Sequence, residues 1–309
     1  MKRAAVVFAF VALASACRSE ENLGTVPGIL FGANVVPSGS DRNAAFVAVE
    51  QEIGRSFDLD RIFHQGLANL PGDREAWTIG CGRTPVVSFN TVGSYTWGQV
   101  ASGKADAQLQ QVADGFRALV TPVFAIYVQD PDASTQSENA VADFAPAYRH
   151  VVEVFRARNA SNVQWIFNLK STSYKVMGDA YYPGDDYIDW LGVSAYNYGS
   201  GGTQKQVQLD ELLAEFIAWS GPHGKPLFIT EWSSGQDDGT NAGRYSKAEW
   251  IVEARTYVEH TPEIRAMTAF WGSAADADRF DTSPAALAAF TAFGSDAYTQ
   301  LRTLKSGCN

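Results

Sequence analysis

The feature that most constrains this chain is a repeated change of apolar period. Eight short apolar runs with strand character alternate with segments whose apolar residues recur at helical spacing. The runs cover residues 29–33, 55–63 (the weakest), 85–89 (PVVSF), 123–128 (VFAIYV), 162–168 (NVQWIFN), 190–196 (WLGVSAY), 227–230 (LFIT) and 264–271. Between them lie helical stripes: Phe46, Val49 and Ile53, stopped by Gly54; Leu109, Val112, Ala113 and Phe116; Phe144, Tyr148, Val151, Val152 and Phe155. Leu209, Leu212, Leu213, Phe216 and Ile217 form another, then Trp250, Ala254, Tyr257 and Val258, and a last helix opens on Pro284. Near-continuous apolar strands are buried on both faces, as in a parallel sheet. Eight such units predict an α/β chain with a single (β/α)8 TIM barrel, which takes roughly 250 residues as one domain. The alternative, an open doubly wound sheet, carries a Gly-rich phosphate turn after its first strand. Here that turn reads FGANVVPSGS, and neither GxGxxG nor GxxxxGK[ST] occurs. The GSGG run at 199–202 follows the sixth strand and reads as a loop.

The first residues read as an address. Lys2 and Arg3 precede an apolar run, 4–13, too short for a bilayer, which needs ~20 residues. Ala14-Ser15-Ala16 is an A-x-A cleavage pattern, so 1–16 is expected to be a signal peptide. Cys17 follows at once. Two readings stay open: a lipobox whose acylated Cys17 begins the mature protein, or ordinary cleavage, since Leu13 lies four residues before the Cys instead of three. Both predict an extracytoplasmic bacterial protein, with a lipid anchor as its only membrane contact. Residues 17–27 form a polar tether and 28–309 the barrel domain. With Cys17 acylated, Cys81 and Cys308 remain, an even number in an oxidising compartment. Cys308 follows the last helix and Cys81 precedes the third strand. A Cys81–Cys308 disulfide is therefore expected on the face away from the barrel mouth.

Composition narrows the partners. Lys and Arg number 24 against 34 Asp and Glu, a net charge of −10, which excludes the basic surface that nucleic acid requires. No CxxC or HxxxH spacing occurs and the four His are scattered, so no metal and no cofactor is expected. Aromatics make up 12% of the chain, which suits a site that stacks sugar rings. A monomer that takes a polysaccharide or oligosaccharide is the expectation.

Barrel enzymes carry their chemistry at the C-terminal ends of strands. The fourth strand ends in Val128-Gln129-Asp130-Pro131-Asp132, the seventh in Ile229-Thr230-Glu231-Trp232. Carboxylates at these two ends face each other across the mouth. Such a pair serves glycoside hydrolysis: one group protonates the leaving oxygen and the other attacks the anomeric carbon, with retention when they lie about 5–5.5 Å apart. Glu231 ends an apolar run; Asp130 sits in a DPD string that also suits a turn. Ser194 in GVSAY lacks the closing Gly of a nucleophile elbow and reads as strand interior. Asp185-Asp186 reads as a solvated loop pair.

Several stretches resemble glycoside hydrolase family 26, mostly β-mannanases. GRTPVVSFN followed by TWGQVASGKADAQLQQVADGFRAL is similar to that family's third strand and next helix, and AYRHVVEVFRARNASNVQW to its helix before strand five. YYPGDDYIDWLGVSAYNYG resembles its strand-six region and KPLFITEWSS its nucleophile strand. The resemblance implies a (β/α)8 barrel, a retaining double displacement, Glu231 as nucleophile, and Tyr196 in contact with it. It also implies a departure. The family's R-x-x-H-E-x-N string aligns with residues 126–132, so its Arg becomes Ile126, its His Gln129 and its acid Glu Asp130. Asp130 is then the expected acid, with Gln129 and Tyr196 facing substrate. Trp97, Trp232 and Trp271, near strand ends, are the expected sugar platforms. The expected activity is a retaining β-glycanase of mannanase type; the alternative is a catalytically impaired barrel lipoprotein that binds glycan at the cell surface.

Overall fold

Eight parallel strands pair in sequence order, and the last pairs back onto the first. They are β1 (Leu30–Val35), β2 (Leu59–Phe63), β3 (Thr84–Phe89), β4 (Val123–Tyr127), β5 (Val163–Lys170), β6 (Trp190–Asn197), β7 (Leu227–Ser234) and β8 (Ile264–Trp271). The helices are α1 (Arg42–Ile53), α2 (Asp73–Gly80), α3 (Trp97–Ala101), α4 (Asp106–Ala118), α5 (Val141–Ala157), α6 (Tyr174–Tyr181), α7 (Leu209–Ser220), α8 (Lys247–Glu259) and α9 (Pro284–Gly294). The fold is a (β/α)8 TIM barrel. The computed structural model describes residues 28–133, 139–197, 207–235, 245–272, 278–299 and 308. The expected leader, Cys17, the tether and the GSGG run lie outside the described residues.

The helix boundaries follow from local chemistry. Asp41 caps α1 by accepting from the Ala44 amide, and Gly54 ends it in the left-handed region at φ 71°. Thr96 and Ser246 open α3 and α8 with capping boxes. Ser283 with Pro284 opens α9. The sequence pattern does not reveal α2 and α6, which are only eight residues long each. The second strand begins at Leu59, later than expected.

Strand side chains alternate between two cores. Outward ones pack beneath the helices. Inward ones form a separate apolar cluster that includes Leu59, Phe124, Ile166, Trp190 and Phe228. Trp190 sits edge-on to Phe124 with centroids 5.3 Å apart and plugs the barrel interior. Further along the strands, two residues on in β2, β3 and β5 and four in β6, the interior turns polar at Arg61, Ser88, Asn168 and Ser194, all buried. Gly192 makes room for that change. A Cβ there would lie 2.6 Å from Ile166 Cγ2 and 2.9 Å from both Asn168 Oδ1 and Thr230 Cγ2.

At the opposite end, Cys81, just past α2, is bonded to Cys308 with Cα atoms 5.7 Å apart, within the ~7 Å limit for a disulfide. The bridge closes a span of 227 residues on the face away from the mouth.

Candidate active site

Glu231 owes its position to an irregularity. The β6–β7 and β7–β8 registers shift around Val193/Ser194 and Ile229/Trp232. Thr230 and Glu231 are neighbours, yet both serve the interior: Thr230 Oγ1 donates to Asn168 Oδ1 at 2.5 Å, while Glu231 meets the mouth. A bulge is what lets two successive residues do this. Glu231 Oε1 lies 3.3 Å from Arg61 Nη2, and Oε2 accepts from Tyr196 Oη at 2.5 Å. Glu231 is only 6% exposed. Burial pushes its carboxyl upward, and the Arg61 charge and the Tyr196 hydroxyl pull it back toward the ionised form.

Asp130 is presented by a strained turn. After β4 the chain enters the left-handed region at Val128 (φ 60°) and again at Asp130 (φ 45°). Each such residue costs on the order of 1–3 kcal/mol, and Val128 is β-branched. Pro131 further disfavours a helical Asp130. Asp130 Oδ1 accepts from Asn168 Nδ2 at 2.7 Å, Ser194 Oγ at 2.9 Å and Gln129 Nε2 at 3.2 Å. Burial is the main influence on its carboxyl, reinforced by the charges of Glu231 and Asp132, and together they push it up to about 8. The Ser194 hydrogen bond opposes them. Asp132 is occupied elsewhere: its Oδ2 accepts from Ser173 Oγ at 2.5 Å and braces the loop after β5.

Gln129 does not face substrate as expected. Its Oε1 accepts from Arg61 Nη2 at 2.6 Å, and its Nε2 donates to Ser194 Oγ at 2.7 Å and to Asp130. Both ends of the amide are already bound by protein, which corrects its assignment as a substrate ligand.

The three tryptophans are likewise corrected. Trp97 is 3% exposed and packs edge-on against Phe144 at 5.0 Å. Trp232 and Trp271 are fully buried, with Phe280 4.9 Å and 5.8 Å from their centroids. A ring enclosed on the helix side of the barrel has no face to offer a sugar. Trp232 follows the bulged Glu231 and so points outward, and Trp271 lies on the outward parity of β8. Half-buried aromatics at the mouth, among the described residues, include Phe63, Tyr196 and Phe270. Tyr196 and Phe270 meet edge to face at 5.9 Å, and the Arg61 guanidinium lies 4.0 Å from the Phe63 centroid. Arg61, Asn168, Phe63 and Phe270 were missed in the sequence. Counting by twos along each strand from its buried interior residue would have found them. Among the described residues no group of His, Cys, Asp and Glu is placed to hold a metal ion.

No family model matches the chain. Endoglucanase H of Acetivibrio thermocellus is 29% identical over 221 residues, covering 65% of this chain and 23% of that protein. A β-1,3-xylanase of an Alcaligenes species is 26% identical over 231 residues, covering 64% of this chain and 47% of that protein. The chain thus spans less than half the length of either curated relative. Among solved structures, the catalytic domain of the Bacillus sp. JAMB-750 family 26 endo-β-1,4-mannanase superposes with a TM-score of 0.65 at 17% identity, covering 91% of this chain and 89% of that one. A family 26 β-mannanase from Bacteroides ovatus gives 0.63 at 15% identity, covering 90% and 92%. The fold is that of the family 26 barrels.

Proposed function

We propose that the chain is a retaining glycoside hydrolase of β-linked polysaccharides, with Glu231 as nucleophile and Asp130 as acid and base. The observation that carries this reading is the contrast between the two carboxyls. Glu231 has a cation and a phenol as partners; Asp130 is half-buried among three neutral donors. Two carboxyls whose surroundings push their pKa values apart divide into nucleophile and acid. Glu231 attacks the anomeric carbon while Asp130 gives its proton to the leaving oxygen. Asp130, now ionised, takes a proton from the water that releases the sugar from Glu231. Mannan is the default substrate through the family 26 likeness; the xylanase and endoglucanase relatives keep other β-glycans in the panel. An extracytoplasmic place of work, anchored through Cys17 or secreted, suits a polymer too large to enter a cell, and the Cys81–Cys308 bond supports an oxidising compartment.

The shorter acid, Asp in place of the family's Glu, favours the binding-only reading, and one experiment separates the two. Release of reducing ends from mannan, β-1,3-xylan and β-glucan is measured, and the first anomer formed is read by proton NMR. Retained β-anomer is expected, and Glu231→Gln should lower kcat by on the order of 10⁴-fold with glycan binding kept. Initial α-anomer overturns the retaining mechanism. Glycan binding without cleavage of natural or activated glycosides establishes the binding module.

A further inference from the structure

Gln129 links the two halves of the site: it bonds Asp130 on one side and, on the other, the arginine that reaches Glu231. Its orientation is not free. Arg61 only donates, so the Gln129 oxygen must face it and the NH2 must face Ser194 and Asp130. The same Arg61 Nη2 reaches Glu231 Oε1. Asn168 adds a second amide: its Oδ1 accepts from Thr230 Oγ1 and its Nδ2 donates to Asp130. Three donors therefore converge on Asp130 Oδ1, and a proton has no place there. Oδ2 has no hydrogen bond among the described residues, and it is the oxygen left to carry the acid proton.

We propose that Gln129 is a positioning residue whose amide, held at both ends, fixes which oxygen of Asp130 stays unprotonated and ties that acid to the arginine of Glu231. Its catalytic consequence rests on the hydrolase reading; its hydrogen-bond assignment does not. An amide does not titrate in the working range, so the acid is held in register at every pH at which the enzyme acts. A carboxylate in the same place would lose the donor and add a negative charge beside Asp130.

The first measurement needs no turnover. In the full chain labelled with ¹⁵N, the Gln129 side-chain amide is assigned by its loss in Gln129→Glu. Its signal is expected to shift in a single titration step as Asp130 ionises, and the step is expected to vanish in Asp130→Asn. An amide signal indifferent to pH, or one that still titrates in Asp130→Asn, overturns the proposal even if the protein hydrolyses nothing. The second measurement is the pH profile of kcat and KM for Gln129→Glu, which keeps the shape of the side chain. When protonated, the new carboxyl has a C=O for Arg61 and an O–H for Ser194, as the amide does; when ionised it has no donor. At pH 7 kcat should fall about tenfold or more with KM within about twofold, and the variant-to-parent ratio should climb as the pH is lowered. A side chain that merely fills space gives a ratio flat with pH, and that result overturns the proposal.

Discussion

Arg55 lies four residues before β2 and Arg61 at its middle, six residues apart, and both are fully buried. Burial alone does not distinguish them; their partners do. Arg55 sits on the barrel floor. Its Nη2 is 3.1 Å from Asp58 Oδ2, its Nη1 donates to Gly294 O at 2.6 Å and to Thr299 O at 3.2 Å, and its Nε donates to Ser56 O at 2.9 Å. These groups keep their charge whatever the protein does, and they fasten the chain after α9 to the floor. Arg61 also holds two carbonyls, of Ile62 and Val86, but its remaining Nη2 is shared by Ser88, Gln129 and Glu231. On the proposed mechanism, Glu231 loses its charge when it bonds to a sugar and regains it when the sugar leaves. A guanidinium beside such a group acts on turnover; one beside a constant group acts on stability.

That contrast can be broken by exchanging the readouts. The largest effect is expected at the floor. Arg55→Ala removes one partner of the buried Arg55–Asp58 pair, and such a loss costs about 3–5 kcal/mol. The denaturant midpoint should drop accordingly, while kcat at a temperature where the variant is folded should match the parent. A large loss of kcat in the folded variant would erase the distinction. Next comes Arg61→Lys, which keeps the positive charge and loses the planar fork. One ammonium cannot hold two carbonyls, Gln129 and Glu231 together. On the proposed mechanism kcat should fall by about 10²-fold, the size of loss that follows a misplacement of about 1 Å. Its denaturant midpoint should move much less than that of Arg55→Ala. Unchanged turnover in Arg61→Lys would remove this arginine from the machinery.

The same strand explains what could and could not be seen in the sequence. Seven apolar runs announced their strands, and Glu231 was legible because an ionisable residue closes the run LFIT. β2 was faint because both of its faces carry charge. Arg61 faces the mouth, while Asp60 faces the helices, where Arg74 Nη2 lies 2.7 Å from its carboxyl and Thr78 donates to it. Such a strand loses its apolar alternation although it is wholly core. The tryptophans misled for a related reason. A position near a strand end does not tell which side its side chain takes, and a single bulge at Glu231 decides it for Trp232. The disulfide needed only the parity of the cysteines and the direction of barrel helices. Strand parity could place Asn168 and Ser194 in the interior but not name their partners, since apart from the Gln129–Asp130 contact the side-chain partners of Asn168, Ser194 and Gln129 lie 26 or more residues away.

The smallest expected effect sharpens the comparison between the two carboxyls themselves. Asp130 keeps its proton in the fold up to about 8, whereas in the unfolded chain it ionises near ~3.9. Between those values the folded protein binds the extra proton, so Asp130's contribution to stability is full at low pH and declines as the pH rises toward 8. Asn cannot ionise. In Asp130→Asn the side-chain oxygen still accepts from Asn168, Ser194 and Gln129, and an NH2 stands where the protonated Oδ2 stood. The variant and the parent should therefore melt together near pH 4, and the variant should melt higher by a few degrees at most near pH 8. Glu231→Gln should show no such gain, because Arg61 then loses the charge that offsets its burial. On the proposed mechanism activity runs against stability here: the substitution that relieves the fold removes the proton donor. Melting curves from pH 4 to 8 check the trend. A gain that is equal at both ends of the range, or a parent that is the more stable at pH 8, would mean that Asp130 is ionised in the resting protein and cannot serve as its acid.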